Sequence, residues 1–263
     1  MVVIPLTAGA MLMVVLAQHP ETLSLLGVPL YAPSLPKVER QKAEAQLAVA
    51  HAAYQKQPND PAAIIAFEQA TLTLGRVGDA LEILTHGLEA NPGEPRLLLE
   101  RGRSYIRIRK NDIALRDLRK ASATLPSAHC PLGLALYLSA DYSAASESLG
   151  KCSDPGVFAY LAAKRSGATA PPRPTPGGTV PSTPAPIRLP GSSAPRKPAD
   201  TPRPIAASYL SAIEQLLEGK KEAAIESLKE IVEKYRKHDW MEPAYIAAET
   251  DYSRLYKPVR RKR

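Results

Sequence analysis

Residues 95–128 read PRLLLERGRSYIRIRKNDIALRDLRKASATLPSA, and the 34 residues before them, 61–94, read PAAIIAFEQATLTLGRVGDALEILTHGLEANPGE. At an offset of 34 the two windows place Ile64 on Leu98, Ala80 on Ala114, Leu84 on Leu118 and Pro92 on Pro126. Each window splits into two halves whose apolar residues recur with a helical period. The halves are separated by a short break, at 75–78 in the first window and 109–111 in the second. The reading is helix, turn, helix, repeated, and self-similarity at a fixed period of this length marks stacked repeats. A single unit cannot bury its apolar face alone, so neighbours stack and the expectation is an all-α array.

The windows resemble the tetratricopeptide repeat family. Its pattern asks for a large apolar residue at position four, small at eight, aromatic at eleven, small at twenty, apolar at twenty-four, small at twenty-seven and proline at thirty-two. The second window supplies Leu98, Gly102, Tyr105, Ala114, Leu118, Ala121 and Pro126. The first supplies Ile64, Glu68, Thr71, Ala80, Leu84, Gly87 and Pro92. Glu68 and Thr71 depart from the pattern, and a distorted or partly exposed helix contact is expected at Glu68. A third unit, about three residues short at its start, places Leu132, Gly133, Leu136, Ala145, Leu149 and Cys152 in the expected register. A helix follows at 156–166, stopped by Gly167. A fourth unit at 205–238 carries Ala212, Gln215, Gly219, Ala224, Leu228 and Ile231. A final helix at about 243–256 starts at Pro243 and presents Tyr245, Ala248, Tyr252 and Leu255. Ahead of the repeats, 35–56 reads as a helix capped by Ser34, with Pro36 in its first turn. The fold class expected is therefore an all-α, tetratricopeptide-like helix-turn-helix solenoid interrupted by a proline-rich disordered linker.

The segments expected are 1–17, a signal peptide or anchor; 18–34, an extended N-terminal segment; 35–167, the helical repeats; 168–204, the linker; 205–256, a further unit and final helix; and 257–263, a basic tail. Twelve of the chain's 26 prolines fall in 171–204, a composition suited to polyproline II or disorder rather than helix or sheet. The net charge of +8 is concentrated as +4 in 168–204 and +5 in 257–263, which leaves the foldable part near neutral. A basic domain face of the nucleic-acid-binding kind is therefore not expected. The run VVIPLTAGAMLMVVLA at 2–17 is short for a spanning helix, which wants about 20 residues. It reads as a cleaved secretory signal, with a retained anchor as the alternative. The stretch from Trp240 to Glu249 resembles the end of bacterial exported repeat proteins. The location expected is exported, periplasmic or envelope-associated, or cytoplasmic if the run is no signal.

No catalytic, metal or cofactor site is legible. His19, His51, His86, His129 and His238 are scattered without metal-ligand spacing, and Gly177-Gly178 lies in the linker, not between a strand and a helix. The resemblance instead implies a concave groove lined by positions two, five, nine, twelve and thirteen of each first helix. The second repeat places Arg96, Leu99, Arg103, Ile106 and Arg107 there, the first Ile65, Gln69 and Leu72, and the third Leu134, Tyr137 and Leu138. Arginines beside an apolar wall suit a partner peptide with acidic and apolar side chains. The alternative is a solvated basic helix face partnered by Glu100 and Asp112. The two-carboxylate clamp of some relatives is not expected, because Ile65 and Gln69 stand where Lys and Asn are wanted. The function implied is non-enzymatic protein or peptide binding in an exported or envelope setting. A different reading is an adaptor that docks on anionic lipid or nucleic acid through its basic tail. Cys130 and Cys152, the only cysteines, fall at positions five and twenty-seven of the third unit, level on opposite helices of one hairpin. Export would permit a disulfide there; two buried free thiols are the alternative.

Overall fold

Two chemical devices start and turn the helices of this chain. Asp60 accepts hydrogen bonds from the Ala62 and Ala63 amides (3.3 and 3.1 Å) and Pro61 takes the first position of the helix that follows. Glu94 with Pro95 repeats the arrangement one unit later, and Asp141 caps a third helix through the Ala144 amide at 3.2 Å. The computed structural model of the chain describes residues 19–153, 156–174 and 204–256. The apolar run, the greater part of the proline-rich stretch and the basic tail lie outside these residues.

Among the described residues the fold is almost wholly helical. The helices are α1 (Lys37–Lys56), α2 (Pro61–Thr73), α3 (Val77–Ala90), α4 (Pro95–Arg107), α5 (Asn111–Ser122), α6 (His129–Leu138), α7 (Tyr142–Gly150), α8 (Gly156–Ser166), α9 (Pro204–Leu217), α10 (Lys221–Tyr235) and α11 (Pro243–Leu255). A short antiparallel hairpin, β1 (Thr22–Leu23) and β2 (Pro29–Leu30), precedes them where the sequence suggested only extended chain. Helix α1 begins at Lys37 and not at 35, because Pro36 holds ψ at 147° and stays extended; Ser34 does not cap it.

Four helix pairs turn in the same way. In α2–α3, α4–α5, α6–α7 and α9–α10 the central turn residue has positive φ: Gly75 at 77°, Arg109 at 65°, Ala140 at 64° and Gly219 at 80°. The next amide bonds back to a carbonyl of the last helical turn, as Lys110 does to Tyr105 at 2.9 Å and Asp141 to Leu136 at 3.0 Å. A carbonyl that helix termination would orphan is thereby satisfied. Residues 75 and 109 are 34 apart, and 140 follows 31 later, the same shortening seen in the sequence of the third unit.

Each hairpin closes on small residues. Ala80, Ala114, Ala145 and Ala224 are wholly buried, and the leucine four residues after each, Leu84, Leu118, Leu149 and Leu228, is buried with them. A Cβ on Gly102 would lie 2.6 Å from Leu118 Cγ, and one on Gly133 would lie 2.5 Å from Leu149 Cγ. Glycine there lets the partner leucine sit against the helix backbone, at the density of a protein interior. The first hairpin carries Glu68 at this place. Contrary to the partly exposed contact expected of it, Glu68 is completely buried, and the close approach moves to Gly87, which meets Ile64.

The C-terminal helices fold back onto the array. Helix α9 packs on α8, and α11 packs on α9 and α10 and reaches α6. Every residue from Ala244 to Tyr252 is buried, so α11 runs through the interior until its last turn, where Arg254 is exposed. Its apolar side chains join a core continuous from Leu30 to Tyr252.

Cys130, in α6, and Cys152, just past α7, are joined by a disulfide with Cα atoms 5.0 Å apart. It crosslinks the hairpin whose first helix is shortened. Loop-closure entropy for the 22-residue separation corresponds to about 3 kcal/mol. Cys152→Ser is expected to lower unfolding stability by about 2–4 kcal/mol in denaturant titration. Oxidised protein unfolded without reductant should show no titratable thiol; finding two would remove the crosslink from the account.

Candidate functional site: buried arginine–carboxylate clusters

The residues that sequence reasoning assigns to the groove divide by exposure. Arg96 is exposed and pairs with Glu94 at 2.7 Å. Gln69, Leu72, Arg103 and Leu134 are partly exposed. Ile65, Leu99, Ile106, Arg107, Tyr137 and Leu138 are buried. Of the three arginines only Arg107 is turned inward, beside Ser104 and Glu68, while Arg103 is held by Glu100 at 2.6 Å. Asp112 is exposed at the start of α5.

The chain's own C-terminal unit is held against α6, α8 and the turn after α4 by two buried arginine–carboxylate clusters. Arg109, in the turn after α4, donates from Nε to Glu249 of α11 at 2.7 Å; the two side chains are 4% and 0% exposed. The same guanidinium donates to the Trp240 carbonyl at 2.9 Å and to the Arg107 carbonyl. It also lies 5.5 and 5.7 Å from the ring centroids of Trp240 and Tyr245. Arg165, near the end of α8, donates to both oxygens of Asp251 at 3.1 and 3.0 Å and to the Tyr142 hydroxyl at 2.8 Å. Tyr209 of α9 donates to Asp251 at 2.6 Å and bonds the Tyr137 hydroxyl at 2.8 Å. Burial and the adjacent Asp251 push the Tyr209 hydroxyl well above its usual range, so it stays protonated and donates. Arg254 reaches the Leu138 carbonyl at the end of α6.

The arginines that meet carboxylates of the C-terminal unit are Arg109 and Arg165, which the repeat register did not point to. Arg109 carries one legible signal: it occupies the turn position held by Gly75 and Gly219 in other units. A non-glycine residue with positive φ is uncommon and costs on the order of 1 kcal/mol or more. Here the buried guanidinium makes contacts that glycine could not.

A second polar cluster lies between α2 and α4. Glu68 Oε1 is 3.5 Å from Ser104 Oγ, the outer edge of hydrogen bonding, and Oε2 has no hydrogen-bond partner among the described residues. Burial, reinforced by Glu100, pushes the Glu68 carboxyl from an ordinary 4.5 up to about 8. Burial also lowers the Arg107 guanidinium, whose charge Glu68 and Glu100 partly support. No group of three or more potential metal-ligating side chains occurs among the described residues. No helix there is long and apolar enough to cross a membrane. Neither a protein-family model nor a characterised protein matches the sequence.

Removing the Glu249 carboxylate leaves Arg109 buried and unpaired. Glu249→Ala is expected to cost about 3–5 kcal/mol. Hydrogen exchange should accelerate across 204–256 while α2 and α3 keep their protection. Glu68 supplies a pH signature. Between about pH 4.5 and 8 the folded chain retains a proton that the unfolded chain has released, so stability falls as pH rises through this window. Glu68→Gln should flatten that slope and raise the midpoint at pH 8 while leaving it little changed at pH 4.5, as read by thermal melts.

Proposed function

We propose that the chain is a non-enzymatic protein-binding scaffold. It is read as a tetratricopeptide-like solenoid, working in the exported or envelope setting implied by its N-terminal run. The four like turns and the small-residue contacts between paired helices support the solenoid reading. The observation that carries the binding reading is α11. The array holds a helix in its interior by clamping carboxylates between arginines that sit beside aromatic rings. This is the recognition chemistry suited to an acidic, apolar partner segment, exercised within one chain.

A partner would meet the part of the groove that α9–α11 leave accessible. Arg96 and Arg103 supply charge there, with Leu72 and Leu134 as apolar neighbours. Arg107 takes no part in this surface, because it is buried against Glu68. The test is affinity capture with the full chain and identification of bound protein by mass spectrometry. Arg96→Glu combined with Arg103→Gln, which keeps a donor for Glu100, should reduce capture at least about tenfold, one buried charged contact being worth that much, with helicity retained. Undiminished capture by the folded double variant would place the partner on another surface.

A further inference from the structure

Four of the large apolar side chains that stand exposed on the described residues lie within nine positions of one another. They are Leu23 at 55%, Leu25 at 44%, Leu26 at 38% and Tyr31 at 44% exposure. All belong to the N-terminal hairpin or the residue that follows it. The segment 22–36 has no charged residue, in a chain that is 23% charged.

The hairpin is built to present these side chains. Its root is tied to the body. Glu21 accepts from the Gly78 amide at 3.0 Å, the Thr22 hydroxyl donates to the Ile108 carbonyl at 3.3 Å, and Trp240 Nε1 donates to the Tyr31 carbonyl at 2.7 Å. Leu30 is buried in the core at 1% exposure. The tip closes on itself. Ser24 Oγ accepts from the Leu26 and Val28 amides (3.2 and 3.0 Å), the Ser24 amide donates to the Val28 carbonyl at 2.8 Å, and Gly27 turns the chain at φ 78°. The amides of Glu21, Ser24, Leu26, Gly27 and Val28 are thus paired within the hairpin while the leucines face outward. Each amide so paired lowers the cost of placing the tip in an apolar surrounding.

The neighbouring sequence indicates which medium. The charge-free run 2–17 ends four residues before the hairpin, and four residues span at most about 14 Å. Wherever that run enters an apolar phase, the hairpin tip lies close by. The run has 16 residues where about 20 are wanted to span a bilayer, and stable anchoring generally takes two signals. Leucines at a tip with a tyrosine near the root match the gradient of a bilayer interface. Taking the run 2–17 as the retained anchor, we propose that the hairpin 22–31 is a membrane-docking element, its leucines Leu23, Leu25 and Leu26 entering the lipid interface beside that run.

The test uses the full chain bound to zwitterionic phosphatidylcholine vesicles with brominated acyl chains, a surface without the net charge that would draw the basic tail. Trp240 is fully buried and serves as the unquenched reference in the parent chain. The Leu25→Trp variant should shift its emission to the blue on binding and lose at least about half of its added intensity to the brominated lipid. Leu25→Asp with Leu26→Asp should weaken vesicle binding at least about tenfold with helicity unchanged, since two exposed leucines would lose their apolar transfer. Three results would overturn the proposal. One is added tryptophan emission that stays unquenched on vesicle-bound protein. Another is binding only to anionic vesicles and its loss in salt, which would assign docking to the tail. The third is a blue shift without lipid that disappears on dilution, which would assign the leucines to contact with a second copy.

Discussion

Helix α11 can carry Glu249 and Asp251 through the interior only because Arg109 and Arg165 meet them there. A carboxylate buried alone would neutralise or drive the helix out. Buried ion pairs seldom add much net stability, since desolvation consumes most of the Coulombic gain. Their stronger effect is on register. A one-residue rotation of α11 would carry both carboxylates away from both arginines at once. The pairs therefore select one seating of the C-terminal unit, and the apolar contacts of Ala244, Ile246, Ala248 and Tyr252 supply the burial.

That seating reaches back into the repeat geometry. The turn after α4 could have used glycine, as the turns after α2 and α9 do. Arginine at 109 accepts a left-handed backbone, and its guanidinium then bonds Glu249, Trp240 and Arg107 from one place. Trp240 in turn holds the Tyr31 carbonyl. The N-terminal hairpin, the second helix pair and the C-terminal unit are thus joined through two side chains, Arg109 and Trp240. The third pair uses Ala140 at the same turn position and compensates for its shorter first helix with the Cys130–Cys152 crosslink.

Glu68 shows what the repeat tolerates. The site is filled by glycine in the next two pairs, where it admits a leucine. In the first pair a carboxyl occupies it, kept largely protonated by burial at neutral pH and facing Ser104, Arg107 and Glu100. The interhelical approach is recovered by Gly87 against Ile64, a contact on the other side of the same hairpin. The cluster ties α2 to α4 by polar contacts, which makes stability here depend on pH.

The helices, their pairing and the spacing of their turns were legible in the sequence. They depend on local chemistry: apolar residues at helical period, Asp60 and Pro61 or Glu94 and Pro95 at helix starts, and small residues at intervals of 34. The placement of Cys130 and Cys152 at one level followed from the same spacing. The buried polar contacts did not. Arg107 reads like Arg103 in sequence, and only the packing of α2 against α4 decides that one is buried and the other partly exposed. The pairing of Arg109 with Glu249, 140 residues apart, and of Arg165 with Asp251, 86 apart, depends on where α9–α11 come to rest. No periodicity encodes that position. By itself the sequence determined which segments are helical and which faces are apolar, because those are properties of neighbouring residues. The tertiary structure alone decided which carboxylates the buried arginines meet, because burying a charge requires a partner that only long-range packing can bring.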